Sequence, residues 1–155
     1  MSVSASDSPK DAACQAPEHK QFDFWVGDWD AFDVGSTVVV AHLKVDRLLD
    51  GCVVREEYEG SDDHKGESLS IYDASRKVWH QTWVTNRGEL LVIEGSFKAG
   101  EMILTGADRT TDGRERRVRG IWKPEGAGVR ETAITSTDGG KTWKPWFDLV
   151  FRAHK

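Results

Sequence analysis

The chain is poor in several things, and each shortage excludes a class of protein. It has two cysteines in 155 residues, Cys14 and Cys52, which rules out a disulfide-dense secreted scaffold. Neither belongs to a C-x-x-C pair and no two histidines have helical i, i+4 spacing, so a structural zinc site is not expected. No apolar run approaches the roughly 18 to 20 residues of a membrane-spanning helix; the longest β-branched stretch, Thr37 to Ala41, is strand-sized. Positive charge is in the minority. With 21 Lys and Arg against 26 Asp and Glu the formal net charge is -5, which disfavours nucleic acid and membrane surfaces as partners. Five arginines do fall between Arg109 and Arg119, but Asp108, Asp112 and Glu115 are interspersed, the pattern of a mixed-charge hairpin. The first seventeen residues lack the apolar segment of a secretory signal and read as a disordered tail. A cytoplasmic location is the expectation for the sequence as written, a periplasmic one if a leader has been removed.

Helical periodicity is nearly absent, while period-two alternation punctuated by Gly and Asp turns recurs throughout. Strands are predicted at about 28–34, 36–48, 51–60, 66–73, 77–85, 89–98, 101–108, 115–123, 128–136 and 144–153. Asp50-Gly51, Ala99-Gly100, Asp112-Gly113, Glu125-Gly126 and Asp138-Gly139 are hairpin signals joining antiparallel neighbours. The segment from Pro17 to Val26 predicts one short helix, with Pro17 in its first turn and Gly27 after its end. About ten strands without helices to cover them are most economically closed on themselves, because closure removes exposed edges. The expected fold is all-β: an up-and-down antiparallel barrel over residues 18–155, plugged at one end by the short helix. Five aromatics crowd the entry to the first strand, Phe22, Phe24, Trp25, Trp29 and Phe32, and suit that plug.

Chemistry-bearing residues concentrate on three strands. Trp79, Gln81 and Trp83 share one face by period two, so they form either an aromatic clamp with one polar handle or bulky core filling. Cys52, Val54, Glu56 and Tyr58 make the inward face of their strand. A lone carboxylate there must be paired or protonated, with Arg117, Arg119 or Arg130 as partners if it is an ion pair. Ser68, Ser70 and Tyr72 alternate with Leu69 and Ile71; the polar set is read as lining a cavity, which leaves the apolar pair outside and points to a homodimer. The ligand-contact candidates are therefore Trp79, Gln81, Trp83, Ser68, Ser70, Tyr72 and Arg119. Ser136 to Trp143 matches the Asp-box hairpin of sialidase propellers, S-x-D-x-G-x-T-W; occurring once, it predicts a turn and no glycosidase chemistry.

The segments Phe22-Asp23-Phe24-Trp25-x-Gly27-x-Trp29, Asp50-Gly51-Cys52, Glu57-Tyr58, Tyr72-Asp73, Trp79-His80-Gln81-x-Trp83 and the closing Asp-Gly-Gly-x-Thr-Trp with Phe147-Asp148 and Arg152 together resemble an uncharacterised bacterial family of small lipocalin-like (calycin-like) β-barrels. In such barrels the tryptophan of a G-x-W motif closes one end and a basic side chain from the last strand lies across it, here Arg152 over Trp29, a cation over an indole face. The resemblance also implies a disulfide between Cys14 and Cys52, which spacing alone leaves open. It supplies no catalytic residues.

Three functions follow as expectations. The first is binding of a small hydrophobic or amphipathic ligand between Trp79 and Trp83, oriented by Gln81, Glu56, Tyr58 and Ser70. The second is a cofactor-independent isomerase, cyclase or hydrolase with Glu56 as acid/base and Tyr58 as proton donor or oxyanion stabiliser. The third is a haem-binding, nitrobindin-like barrel ligated by His42 or His80. No metal or cofactor is required by the first two.

Overall fold

Alternation of inward and outward side chains runs through every strand and dictates the architecture. A computed structural model describes residues 13–155. Most of the expected N-terminal tail, residues 1–12, lies outside the described residues. The strands are β1 (Gly27–Asp33), β2 (Val39–Leu48), β3 (Val53–Gly60), β4 (Lys65–Asp73), β5 (Val78–Thr85), β6 (Leu90–Lys98), β7 (Glu101–Arg109), β8 (Glu115–Glu125), β9 (Gly128–Ser136) and β10 (Lys144–Ala153). Each pairs antiparallel with the next, and β1 pairs with β10 from Trp29↔Ala153 to Asp33↔Leu149, so the sheet is a closed ten-strand barrel. The ten predicted strands are all present, with ends within three residues of expectation. Ala99-Gly100 shows why the turn signals were legible: both residues have positive φ, +52° and +80°, the twist that a two-residue hairpin loop demands.

The predicted short helix is present over residues 17–25, as two consecutive 3-10 turns, Pro17–Lys20 and Asp23–Trp25. Their amide bonds run three residues back, as in Trp25 N–H to the Phe22 carbonyl. A 3-10 turn stacks residues i and i+3 on one side, and that places Phe22 and Trp25 together in the barrel mouth. Both are fully buried, with ring centroids 4.8 Å apart. Phe22 also meets Trp79 and Trp122 edge-on at 5.7 and 5.5 Å. Burial of each such aromatic stabilises the fold by about 1.5–3 kcal/mol, so this plug is the main apolar contribution at its end of the barrel.

Trp29 closes the seam beside it. Its indole N–H donates to the Trp25 carbonyl at 2.8 Å, and its ring lies so close over Gly27 that a Cβ there would sit 2.7 Å from it. That contact explains the glycine of the G-x-W sequence. The expected cation over Trp29 is not found: Arg152 lies over the Phe32 ring, 5.0 Å from its centroid. Trp29 points inward from β1, whereas Arg152 and Phe32 are on the outer face, so the two could not meet.

Cys14 and Cys52 form a disulfide with a Cα–Cα distance of 5.2 Å, tying the N-terminal segment to the start of β3. On the outer face, Leu69 is 49% and Leu90 62% exposed, with Ile71, Val84 and Val92 beside them. No helix among the described residues is long and apolar enough to cross a membrane.

Candidate functional site

The aromatic plug fills only one end of the barrel. Toward the opposite end, where β1, β3, β5, β7 and β9 finish, the inward side chains enclose a cavity of about 380 Å³. Its walls are apolar: Leu43 from β2, Trp83 from β5, Leu91 and Ile93 from β6, Trp122 from β8, and Phe147, Leu149 and Phe151 from β10. Asp33, His64, Glu89 and Trp146 mark its mouth. Two walls depend on glycine. A Cβ on Gly66 would come 2.3 Å from the Trp83 ring, and one on Gly120 would come 2.6 Å from the Trp122 ring, so each indole lies flat against the sheet only because no side chain stands beneath it.

Into this apolar space project two carboxyl groups. Glu56, on β3, is 6% exposed and accepts a hydrogen bond from Ser68 Oγ at 2.9 Å. Glu131, on β9, accepts one from Trp122 Nε1 at 2.5 Å. Burial pushes Glu56 up to about 7; burial and then the charge of Glu56 push Glu131 up to about 8. At neutral pH the pair therefore retains at least part of its protons. The second oxygen of each carboxyl has no protein partner among the described residues. Gln81 donates from Nε2 to Ser70 Oγ at 3.0 Å, leaving its amide oxygen unpartnered as well. Tyr58 stands against Trp83, ring centroids 5.7 Å apart, and burial pushes its phenol up to about 12, so it remains a hydrogen-bond donor.

The expected site residues divide by depth. Glu56, Tyr58, Gln81 and Trp83 line the cavity. Ser68 and Ser70 are buried just behind it, where they hold Glu56 and Gln81. Trp79 and Tyr72 are not cavity residues. One pleat nearer the plug than Gln81, Trp79 donates its indole N–H to Gln21 Oε1 at 3.1 Å and packs on Phe22, while Tyr72 packs edge-on against His19 at 5.1 Å. The pair of tryptophans flanking Gln81 is thus one core filler and one wall. Arg119 lies on the outer face of β8, its guanidinium 4.3 Å from the Trp143 ring and bonded to Thr105 Oγ1. Nor do Arg117 and Arg130 reach Glu56: Arg130 pairs with Asp148, and Arg117 approaches Gly140. No arginine or lysine lines the cavity among the described residues.

Sequence reasoning missed Glu131, Trp122 and the apolar face of β10. Parity could have found Glu131, which is in step with Val129 and Ala133 along β9, both buried. The histidines proposed for haem point away from the interior. His42 contacts Asp28 and His154 outside the barrel, and His80 bonds Glu94 and Thr82. Only His64 reaches the cavity, at its mouth, bonded to Glu89 at 2.8 Å. The Ser136–Trp143 turn behaves as its motif implies: Asp138 accepts from the Thr142 amide, and the Ser136 hydroxyl accepts from the Gly140 amide.

The assembled chemistry is a mostly apolar chamber lined by two partly protonated acids, an amide and a phenol. It can hold a small apolar body and exchange hydrogen bonds or a proton with one polar group on it. Comparison with protein-family models and with curated proteins found no match to this chain.

Proposed function

We propose that this protein is a small-molecule-binding barrel of lipocalin-like type, taking a compact, mostly apolar ligand through the end opposite the aromatic plug. The observation that carries this reading is the cavity itself: about 380 Å³ with aromatic and aliphatic walls and a few convergent polar groups, the usual composition of a ligand site. At roughly 30 Å³ per water that is room for about a dozen waters or a ligand of comparable bulk. Trp83 and Trp122 in the walls supply an internal reporter.

A second reading is favoured by one specific feature. Glu56 faces the cavity without an arginine and with a raised pKa, the condition for a general acid/base, and Tyr58 beside it keeps its proton. An enzyme that moves a proton on an apolar substrate would use the same chamber, so binding is the property to test first.

The test is titration with the neutral fluorophore N-phenylnaphthylamine, read by probe enhancement and by quenching of tryptophan emission. Saturable binding is expected in the wild type and its loss in Ala133→Trp, which fills the chamber from β9. Equal binding to both proteins would place the probe elsewhere and end the proposal.

A further inference from the structure

We infer that the ligand is a cation: a protonated amine or amidine on a compact apolar body, its head seated between Glu56 and Glu131. The inference rests on the cavity-binding reading above and names the chemical class that the chamber selects. Its first ground is the hydrogen-bond inventory. Glu56, Glu131 and Gln81 each present an acceptor oxygen without a protein partner among the described residues, while Tyr58 is the one phenolic donor on the wall. An ammonium offers three donors and no acceptor, the complement of that set. A carboxylate or phosphate could be met by the acids only in their protonated form, and would be repelled as soon as either ionises.

Charge is the second ground. Among the described residues the titratable groups facing the chamber are Asp33, Glu56, Tyr58, His64, Glu89 and Glu131, and the one base of that set, His64, is already bonded to Glu89 at the mouth. The arginines nearest the rim are taken too: Arg87 pairs with Asp62, and Arg116 with Asp108 while stacking on Trp146. Two acids facing one apolar chamber with no counter-charge beside them among the described residues keep part of their protons at neutral pH, because neither can ionise cheaply beside the other. A cationic head supplies the missing charge and displaces those protons. Binding is then coupled to proton release, and affinity rises with pH until the free pair has itself ionised. Indoles at Trp83 and Trp122 suit the same head, since an aromatic face attracts a cation where a carboxylate is close.

The experiment uses three probes with one skeleton: phenylbutylamine, phenylbutanol and phenylbutyrate, measured by calorimetry on the full chain in buffers of different ionisation enthalpy. The amine is expected to bind tightest, by about tenfold or more over the alcohol near pH 8, with the carboxylate weakest. Its affinity should rise by up to about tenfold per pH unit between about pH 6 and 8, with release of protons to the buffer, while the alcohol stays nearly flat. The E56Q/E131Q variant should lose the preference for the amine, binding it no more tightly than the alcohol, and near-UV circular dichroism and a thermal melt certify its fold. An alcohol that binds as well as the amine, an amine affinity independent of pH, or an amine preference that survives in E56Q/E131Q overturns the inference and leaves the cavity reading standing. If none of the three probes binds, the cavity reading fails and this inference with it.

Discussion

Replacing both cavity acids by glutamine should make the protein more stable in mild alkali, and the size of the gain can be worked from the structure. Glu56 moves from 4.5 to about 7 and Glu131 from 4.5 to about 8, which at about 1.36 kcal/mol per pH unit corresponds to roughly 3 and 5 kcal/mol. For an acid whose folded pKa is raised, the native state binds the extra proton. Its contribution is complete below about pH 4.5 and is lost as pH climbs through about 7 and 8. Water entering the open end of the chamber screens part of that loss, so about 3 kcal/mol between pH 5.5 and 8.5 is the expected total. The groups held low by hydrogen bonds, among them Asp73, Glu94 and Asp138, act in the opposite sense and only at acid pH, outside this window. His154, raised by its bond to Asp30, loses its contribution in the same direction as the acids, so the comparison must be between proteins and not between pH values alone. Urea unfolding of wild type and E56Q/E131Q at both pH values gives the four free energies required. The wild type should weaken by about 3 kcal/mol on going to the higher pH and the variant by markedly less. If both lose the same amount, the two carboxyls are not buried as a proton-holding pair and the electrostatic account of the chamber is wrong.

Three further outcomes are expected. Reduction of the Cys14–Cys52 bond, or Cys14→Ser with Cys52→Ser, should cost up to about 4 kcal/mol, the loop-closure value for a sequence separation of 38, and thermal melts with and without reductant would measure it. Gly66→Ala must push the Trp83 ring off the sheet and into the chamber, with a loss of about 1–3 kcal/mol in stability and weaker binding of N-phenylnaphthylamine; unchanged probe affinity would show that Trp83 is not a wall of the site. The outward apolar row of Leu69, Ile71 and Val92 suits a second copy of the chain, so Leu69→Lys should turn a dimer into a monomer in light scattering after gel filtration, and a wild type that is monomeric at tens of micromolar rejects that assembly.

The architecture was legible because the properties that specify it are local. Alternation along each strand and a glycine at each tight turn can be read without knowing what pairs with what, and they placed Glu56, Tyr58, Gln81 and Trp83 on inward faces. Depth along the barrel was not legible. Trp79 and Trp83 share a face, yet one is core and the other cavity wall, because the N-terminal segment reaches the first and stops short of the second. That distinction depends on how far Phe22 and Trp25 penetrate, a tertiary fact with no period in the sequence. Arg119 failed for a simpler reason: Val118, Gly120 and Trp122 take the inward positions of β8, so Arg119, between the first two, is outside. The disulfide was open to spacing and implied only by resemblance; it is present because the N-terminal segment lies against the start of β3.

The barrel thus separates two tasks along its axis. At the plugged end every aromatic has a neighbour, as with Phe22 against Trp25, Trp79 and Trp122, and nearly all the packing is of the kind that stabilises. At the open end the chain keeps an unfilled volume and turns inward two acids that meet no basic group among the described residues, each an arrangement that destabilises. Hydrophobic residues at 56 and 131 would pack such a chamber at lower cost. An arrangement that lowers stability in two independent ways at one place is explained by what enters that place, and the acids say more about it than the volume does. A purely apolar ligand would leave the proton-holding pair without a role, whereas a ligand carrying positive charge relieves it. Binding and folding would then draw on the same pair, so a saturating amine should raise the melting temperature of the wild type more at about pH 8 than at about pH 6, and should do so hardly at all for E56Q/E131Q.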